Sequence, residues 1–157
     1  MSRPTTLGPL LLAGVIFIAS GSVAAGLTGA AAAKARMAEM KAQGAEMKAI
    51  FEQIKTGAPD MAVVKAQAAK LDTSSKSLPT WFPPGSGRSA EPKSRALPLI
   101  WTDSAGFATK AKALAVATTK LDAVAQAGDA AALGPAVHEV GAACKGCHDT
   151  FKAKARA

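Results

Sequence analysis

Residues 140–154 read VGAACKGCHDTFKAK, and this stretch decides how the fold of the whole chain is interpreted. Cys144 and Cys147 stand three positions apart, and His148 follows the second cysteine directly. The apolar residues of 133–151 recur in alternating steps of four and three, which predicts one continuous α-helix. Because positions i, i+3 and i+4 share one face of a helix, the two thiols and the imidazole are expected to project from the same side.

Three earlier segments show the same apolar spacing and predict three more helices: residues 37–54, 61–78 and 107–125. Asp60 and Asp103 are predicted N-caps, and Gly57 and Gly128 are expected to end the first and third helices. Each helix is expected to span about 20 to 27 residues. Similar lengths and single apolar stripes predict an all-α protein, an antiparallel four-helix bundle whose C-terminal helix carries the cysteines.

The first helix has the apolar stripe Met37, Met40, Gly44, Met47, Phe51 and Ile54. The connection between the second and third helices, residues 78–101, contains five prolines and therefore cannot be helical throughout. The other two connections are short. No segment shows the alternation with a period of two that is typical of a β-strand.

The N-terminus has the order of a secretory signal peptide. One positive charge in residues 1–6 precedes thirteen uncharged residues, LGPLLLAGVIFIA, and then a run of small residues. A cleavage site after Ala24 predicts a signal peptide over residues 1–24 and a mature domain over 25–157. The alternative is an uncleaved inner-membrane anchor, because the uncharged stretch is long enough to span a bilayer. Either interpretation places the domain in the periplasm or facing it.

The chain has 19 Lys and Arg against 11 Asp and Glu, a formal net charge of +8. The lysines are spread along helical faces without interleaved aromatic residues, so nucleic acid is not an expected partner. A basic surface favours acidic redox proteins of the periplasm or membrane instead. No Ser-His-Asp grouping, carboxylate pair or phosphate loop is present, and we do not expect an enzyme.

Three other roles for the two cysteines fit the sequence less well than haem attachment. A disulfide between positions i and i+3 closes a very small ring and stabilises little. A zinc site needs about four ligands, and the other histidine, His138, lies ten residues earlier. A thioredoxin-like pair requires a βαβ context that the helical pattern does not provide.

C-x-x-C-H in an exported chain is typical of a covalent haem c site. Cys144 and Cys147 can form thioethers with the two vinyl groups, and His148 can then bind the iron. One haem c is the predicted cofactor. A competing hypothesis is a haem-free periplasmic bundle that uses the cysteines for metal binding or redox sensing.

Further short motifs accompany the haem motif: Arg36 followed four residues later by Met40, FPPGSG at 82–87, LPLIW at 97–101, and AGD at 127–129. With these landmarks the chain resembles the class II cytochromes c, the family of cytochrome c' and its low-spin, methionine-ligated relatives. The resemblance covers nearly all of residues 25–157. It implies a bundle with haem c near the C-terminal helix and, in some members, a homodimer formed through helices one and two.

The resemblance also implies roles for individual residues. His148 would be the proximal iron ligand and Met40 would face the opposite side of the haem. Arg36 would lie near a propionate with Met37 beside it, and Arg95 would lie near the haem edge. At position 95 the family often has an acidic or small polar residue, and Lys152 replaces a common arginine.

Two functions differ at one residue, Met40. If its sulfur binds iron, the protein is an electron carrier, because Met/His ligation raises the reduction potential. The sequence favours this hypothesis. If Met40 only packs on the haem, the iron is five-coordinate and open to NO or CO, which is the alternative.

Overall fold

The computed structural model describes residues 27–154, so the predicted signal peptide or anchor at 1–24 lies outside the described residues. Within this range five α-helices follow one another: α1 (Gly29–Lys55), α2 (Met61–Ser77), α3 (Leu99–Thr102), α4 (Ser104–Ala127) and α5 (Ala130–Phe151). The four long helices form the bundle, and α3 is a single turn that leads into α4. The predicted all-α four-helix bundle is confirmed.

Local sequence signals set the helix ends as predicted. The carboxylate of Asp60 accepts the backbone N–H two residues later at 2.9 Å and caps α2. Asp103 caps α4 in the same way, accepting the N–H three residues later at 2.9 Å. Gly57 and Gly128, both with φ of +74°, follow the ends of α1 and α4. That left-handed conformation is one that glycine adopts without strain.

The predicted length of the second helix was wrong. α2 has 17 residues and ends at Ser77, where a 3₁₀ turn over Leu78–Trp81 takes over. Pro79 has no N–H to continue the α-helical hydrogen bonding, which explains the early end. Beyond this turn, residues 82–98 form the connecting loop that leads to α3.

The predicted apolar stripe of α1 was also partly wrong. Gly44 and Phe51 are exposed, and the side chains buried in their place are Arg36, Gln43 and Ile50. At these three turns the buried residue therefore stands one position before the residue that the apolar pattern predicted. The apolar pattern missed it because two of its members are polar residues that are satisfied by hydrogen bonds rather than by apolar contact.

The core is built around α2 and α4. α2 packs between α1 and α4, α4 packs against α5, and α1 meets α5 over a much shorter stretch than these pairs. Fully buried side chains from α1, α2, α4 and α5 form its centre: Ile50, Val64, Leu71, Leu121, Leu133 and Val140. Within residues 27–154, no helix combines the length and apolarity needed to cross a membrane.

Aromatic rings close the core near the cysteines. Phe107 of α4 lies edge-on between Phe82 of the connecting loop and Phe151 at the end of α5. Its ring centroid is 4.7 Å from that of Phe82 and 5.4 Å from that of Phe151. Such edge-to-face pairs are favourable, and here they join the loop to the two helices.

Candidate functional site

The last turns of α5 carry the C-x-x-C-H motif. Cys144 and Cys147 are free and half-buried, and both pack against the hydrophobic core. His148 is exposed one turn before the helix ends. The helix therefore presents two thiols and an imidazole at positions i, i+3 and i+4, with the thiols directed inward and the ring nearer to solvent.

Burial raises the pKa of both thiols above the ordinary cysteine value. The positive charge of Lys152 opposes this shift at Cys144, and that of Lys110 opposes it at Cys147, but burial has the larger effect. A redox-active pair needs a lowered thiol pKa, because the thiolate is the nucleophile. The electrostatics of these cysteines are therefore unlike those of a thioredoxin-like pair.

The surroundings of His148 favour a neutral ring. Partial burial lowers the pKa of its imidazole, and the charges of Lys152 and Arg95 lower it further, while Asp149 opposes them. Asp149 is itself paired with Lys145 at 2.5 Å. A neutral imidazole keeps the nitrogen lone pair that binds a metal ion.

The donor set fits haem c. Two half-buried thiols and one imidazole on a single helical face would provide two sites of covalent attachment and one axial ligand. In the part of the chain that the structure describes, no three His, Cys, Asp or Glu side chains converge to hold a metal ion by themselves. His138, the other histidine, is exposed on the same helix, as expected.

On α1, the candidate distal residue Met40 is half-buried and packs against the hydrophobic core, as does Met47. Met37 is half-buried as well. The helices that carry Met40 and the haem motif, α1 and α5, have far less mutual contact than the α1–α2, α2–α4 and α4–α5 pairs. A prosthetic group between them would therefore displace few direct helix–helix contacts.

Arg36 lies one turn before Met40 and is only 4% exposed. Its guanidinium donates four hydrogen bonds to residues 81–94: to the carbonyl of Trp81 at 3.1 Å, to the hydroxyl and carbonyl of Ser86 at 2.9 and 2.8 Å, and to the hydroxyl of Ser94 at 3.1 Å. It also lies 4.5 Å from the ring centroid of Phe82. Contact of Arg36 and Met37 with a propionate stays a prediction.

Sequence reasoning did not identify these loop partners of Arg36. Ser86 is fully buried and Ser94 is 2% exposed, although both stand in a polar, proline-rich segment that reads as a surface loop. The one sequence signal was the position of Arg36 itself, directly before Met37 at the start of the apolar stripe. A buried guanidinium requires hydrogen-bond acceptors, and the loop supplies them.

Arg95 is exposed and lies against the end of α5. Its Nε donates to the carbonyl of Ala153 at 2.7 Å, and its own carbonyl accepts the N–H of Ala153 at 2.8 Å. This position places a second positive charge beside Lys152. Besides burial, the charges of both residues lower the pKa of His148. Whether Arg95 also reaches the haem edge stays a prediction.

The model of one protein family, cytochrome c', matches residues 31–152. Solved structures agree with it. Cytochrome c' from Rubrivivax gelatinosus is 35% identical, with 78% of this chain and 95% of that chain covered and a TM-score of 0.71. A ferrous variant of cytochrome c' from Alcaligenes xylosoxidans with bound NO is 35% identical, with 79% and 94% covered and a TM-score of 0.71.

A third similar structure is cytochrome c' from Thermochromatium tepidum. It is 26% identical, with 82% of this chain and 98% of that chain covered, and its TM-score is 0.75. No curated protein sequence matches the chain significantly.

Proposed function

The chain belongs to the cytochrome c' family and is a haem c protein, and from this premise we propose that it binds NO and CO at a five-coordinate iron. Cys144 and Cys147 hold the haem covalently, and His148 is the proximal ligand. Met40 packs over the opposite face without binding the metal. The bound haem supplies an iron with one open coordination position, and the helices determine which small molecules reach it.

The proposal depends most on the side chains on either side of Met40. Arg36 and Gln43 are the buried polar residues one turn before and one turn after it on α1. Both terminal nitrogens of Arg36 donate to Ser86 of the connecting loop. The amide nitrogen of Gln43 donates to the hydroxyls of Ser74 and Ser75 on α2, at 3.0 and 3.3 Å.

With these donors engaged elsewhere, the side chain that α1 offers toward the haem is the thioether of Met40. Bound O₂ is stabilised by a hydrogen-bond donor in the distal pocket, whereas NO and CO bind iron without one. An apolar distal face therefore favours NO and CO over O₂. The nitric oxide complexes among the Alcaligenes xylosoxidans structures support the same choice.

The electron-carrier hypothesis, with Met40 as the sixth ligand, is the second candidate. It is favoured by a half-buried thioether on the helix that faces the haem motif. Its partners would be acidic redox proteins of the periplasm or membrane. We place it second because the similar structures are cytochromes c' rather than their low-spin relatives.

A visible spectrum of the reduced holoprotein separates the two candidates. A five-coordinate iron gives a broad α region that sharpens when CO is added. A sharp α band that CO does not change would overturn the gas-binding proposal and show that a side chain occupies the sixth position of the iron. The same spectrum tests whether haem is bound at all, because both candidates require a Soret band.

We also propose that the protein is located in the periplasm.

We further propose that the protein forms a homodimer through α1 and α2. The dimer is supported by the half-exposed Phe51 on α1, with 49% of its surface open. One similar structure is described as a cytochrome c' with ligand-controlled dimer dissociation. Sedimentation of the holoprotein with and without CO tests the dimer, and the Phe51→Glu variant should sediment as a monomer.

A further inference from the structure

Two hydrogen-bonded attachments of the connecting loop bear on the candidate haem site, one on the helix of Met40 and one at the end of the helix that carries the C-x-x-C-H motif. The first attachment is Arg36 of α1, one turn before Met40, which binds Ser86 and Ser94 of the loop. The second attachment lies at the end of α5, just after His148. A single stretch of chain thus touches both the helix of the distal residue and the helix of the proximal residue.

The second attachment consists of backbone hydrogen bonds between 95–97 and 151–153. The N–H of Leu97 donates to the carbonyl of Phe151 at 3.0 Å, and the N–H of Ala153 donates to the carbonyl of Arg95 at 2.8 Å. An isolated antiparallel bridge is centred on Ala96 and Lys152. The chain immediately after the helix is therefore fixed by the loop, where a helix end would otherwise fray.

Ser94 joins the two attachments. Ser94 is 2% exposed. Its hydroxyl accepts a hydrogen bond from Arg36 at 3.1 Å and another from the N–H of Ala96 at 3.3 Å. Ala96 lies at the centre of the bridge to the α5 end. A hydrogen-bonded path therefore runs from the guanidinium on α1, through one serine hydroxyl, to the residues that follow the proximal histidine.

We propose that Arg36 is a positioning residue for His148: acting through Ser94, it holds residues 95–97 in place and so fixes the end of α5 and the imidazole one turn before it. The inference rests on the proposed function only in taking His148 as the proximal ligand. The last carbonyl of this path is that of His148 itself, which accepts the N–H of Lys152 at 3.2 Å. Movement of residues 151–153 would therefore shift the backbone of His148.

Two variants test the path without removing the core. Ser94→Ala deletes the joining hydroxyl and leaves Arg36 its bonds to Trp81 and Ser86. Arg36→Lys keeps the charge but loses the planar fork that makes four bonds at once. The matched control is Glu91→Gln, which removes the charge that faces Lys34 of α1 at 3.8 Å. Glutamine keeps the carbonyl that accepts the N–H of Ser94 and the Oε1 that accepts the N–H of Lys93, so the path itself is unchanged.

The first measurement is amide hydrogen exchange in the holoprotein. In Ser94→Ala, exchange at Leu97 and Ala153 should be about five- to tenfold faster, the effect of losing roughly one hydrogen bond, with a larger effect in Arg36→Lys. Core amides such as that of Leu121 should keep their wild-type rates, as should Leu97 and Ala153 in Glu91→Gln. Unchanged exchange at both sites, or an equal rise in the core, would overturn the proposal.

The second measurement is the iron–histidine stretching band of the reduced protein in resonance Raman spectra. It should move to lower frequency or broaden in Ser94→Ala and Arg36→Lys, and remain unchanged in Glu91→Gln. Faster exchange without any change in this band would show that Arg36 holds the loop but not the ligand, and would reject the positioning role. This band is enhanced only when the ferrous iron is five-coordinate, so its absence from the wild-type spectrum would overturn the proposed function. The exchange differences between the variants would still test the path from Arg36 to the end of α5.

Discussion

Asp72 of α2 accepts a hydrogen bond from the hydroxyl of Thr119 of α4 at 2.7 Å, which joins two neighbouring helices across their interface. Asp72 is 8% exposed, and its other oxygen is bound by Lys76 of the same helix at 2.6 Å. A carboxylate in this position is satisfied only while both donors remain, because burial excludes most of the water that would replace them.

Thr119→Val should lower the free energy of unfolding by about 1 kcal/mol, because it removes one donor from a buried carboxylate and keeps the shape of the side chain. Chemical denaturation of the holoprotein measures the change. Thr109→Val is the matched control: this exposed threonine bonds only to a carbonyl of its own helix. Its effect should stay within about 0.5 kcal/mol. Equal effects of the two variants would show that the link between the helices contributes nothing.

Glu46 should make stability fall as the pH rises. Burial raises the pKa of this carboxyl, with the charge of Lys70 opposing and that of Glu39 adding to the shift, and its Oε2 is buried without a hydrogen-bond partner. The folded state therefore holds the proton more tightly than the unfolded state. The stabilising contribution is complete below the unfolded pKa of about 4.3 and is lost as the pH rises through the folded value.

Glu46→Gln should consequently be more stable than the wild type at pH 7, and the advantage should vanish near pH 4. Thermal unfolding of the holoprotein across this range measures the difference. Glu52→Gln removes the same charge from an exposed position on α1 and should show no such trend. A stability difference independent of pH would contradict the prediction.

Met40→Leu should leave the reduced spectrum broad and sensitive to CO, because the proposed function gives the sulfur no bond to iron. Leucine keeps the apolar contact, so folding should be little affected. Met47→Leu, the other half-buried methionine that packs on the core from α1, is the control. A change from a sharp low-spin spectrum to a broad one in Met40→Leu alone would favour the electron carrier.

The double variant Cys144→Ala, Cys147→Ala should carry no covalent haem when it is exported from a strain that matures cytochromes c. Intact mass spectrometry of the wild type should show the polypeptide plus one haem, and it also reports whether residues 1–24 are removed. Asp149→Asn changes an exposed residue beside the motif and should retain the haem. A wild-type mass equal to the polypeptide alone would rule out the haem c assignment.

Much of the fold followed from the sequence because the signals were local. The caps at Asp60 and Asp103 and the glycines at 57 and 128 act within a few residues of themselves, and each ended or began a helix where predicted. The inner face of α1 was harder to predict. Arg36 and Gln43 are buried by partners on other elements, which no apolar periodicity in α1 can reveal.

Four amphipathic helices, with two cysteines and a histidine on one face of the last, follow from the amino-acid order alone, since helical periodicity repeats every few residues. The partners of the arginine of α1, in contrast, depend on how the helices and the loop pack. Its partners lie 45 to 58 residues away along the chain, in a segment without any repeating pattern. Hydrogen bonds over such separations form only when packing has brought the two segments together, so their geometry is a property of the folded bundle.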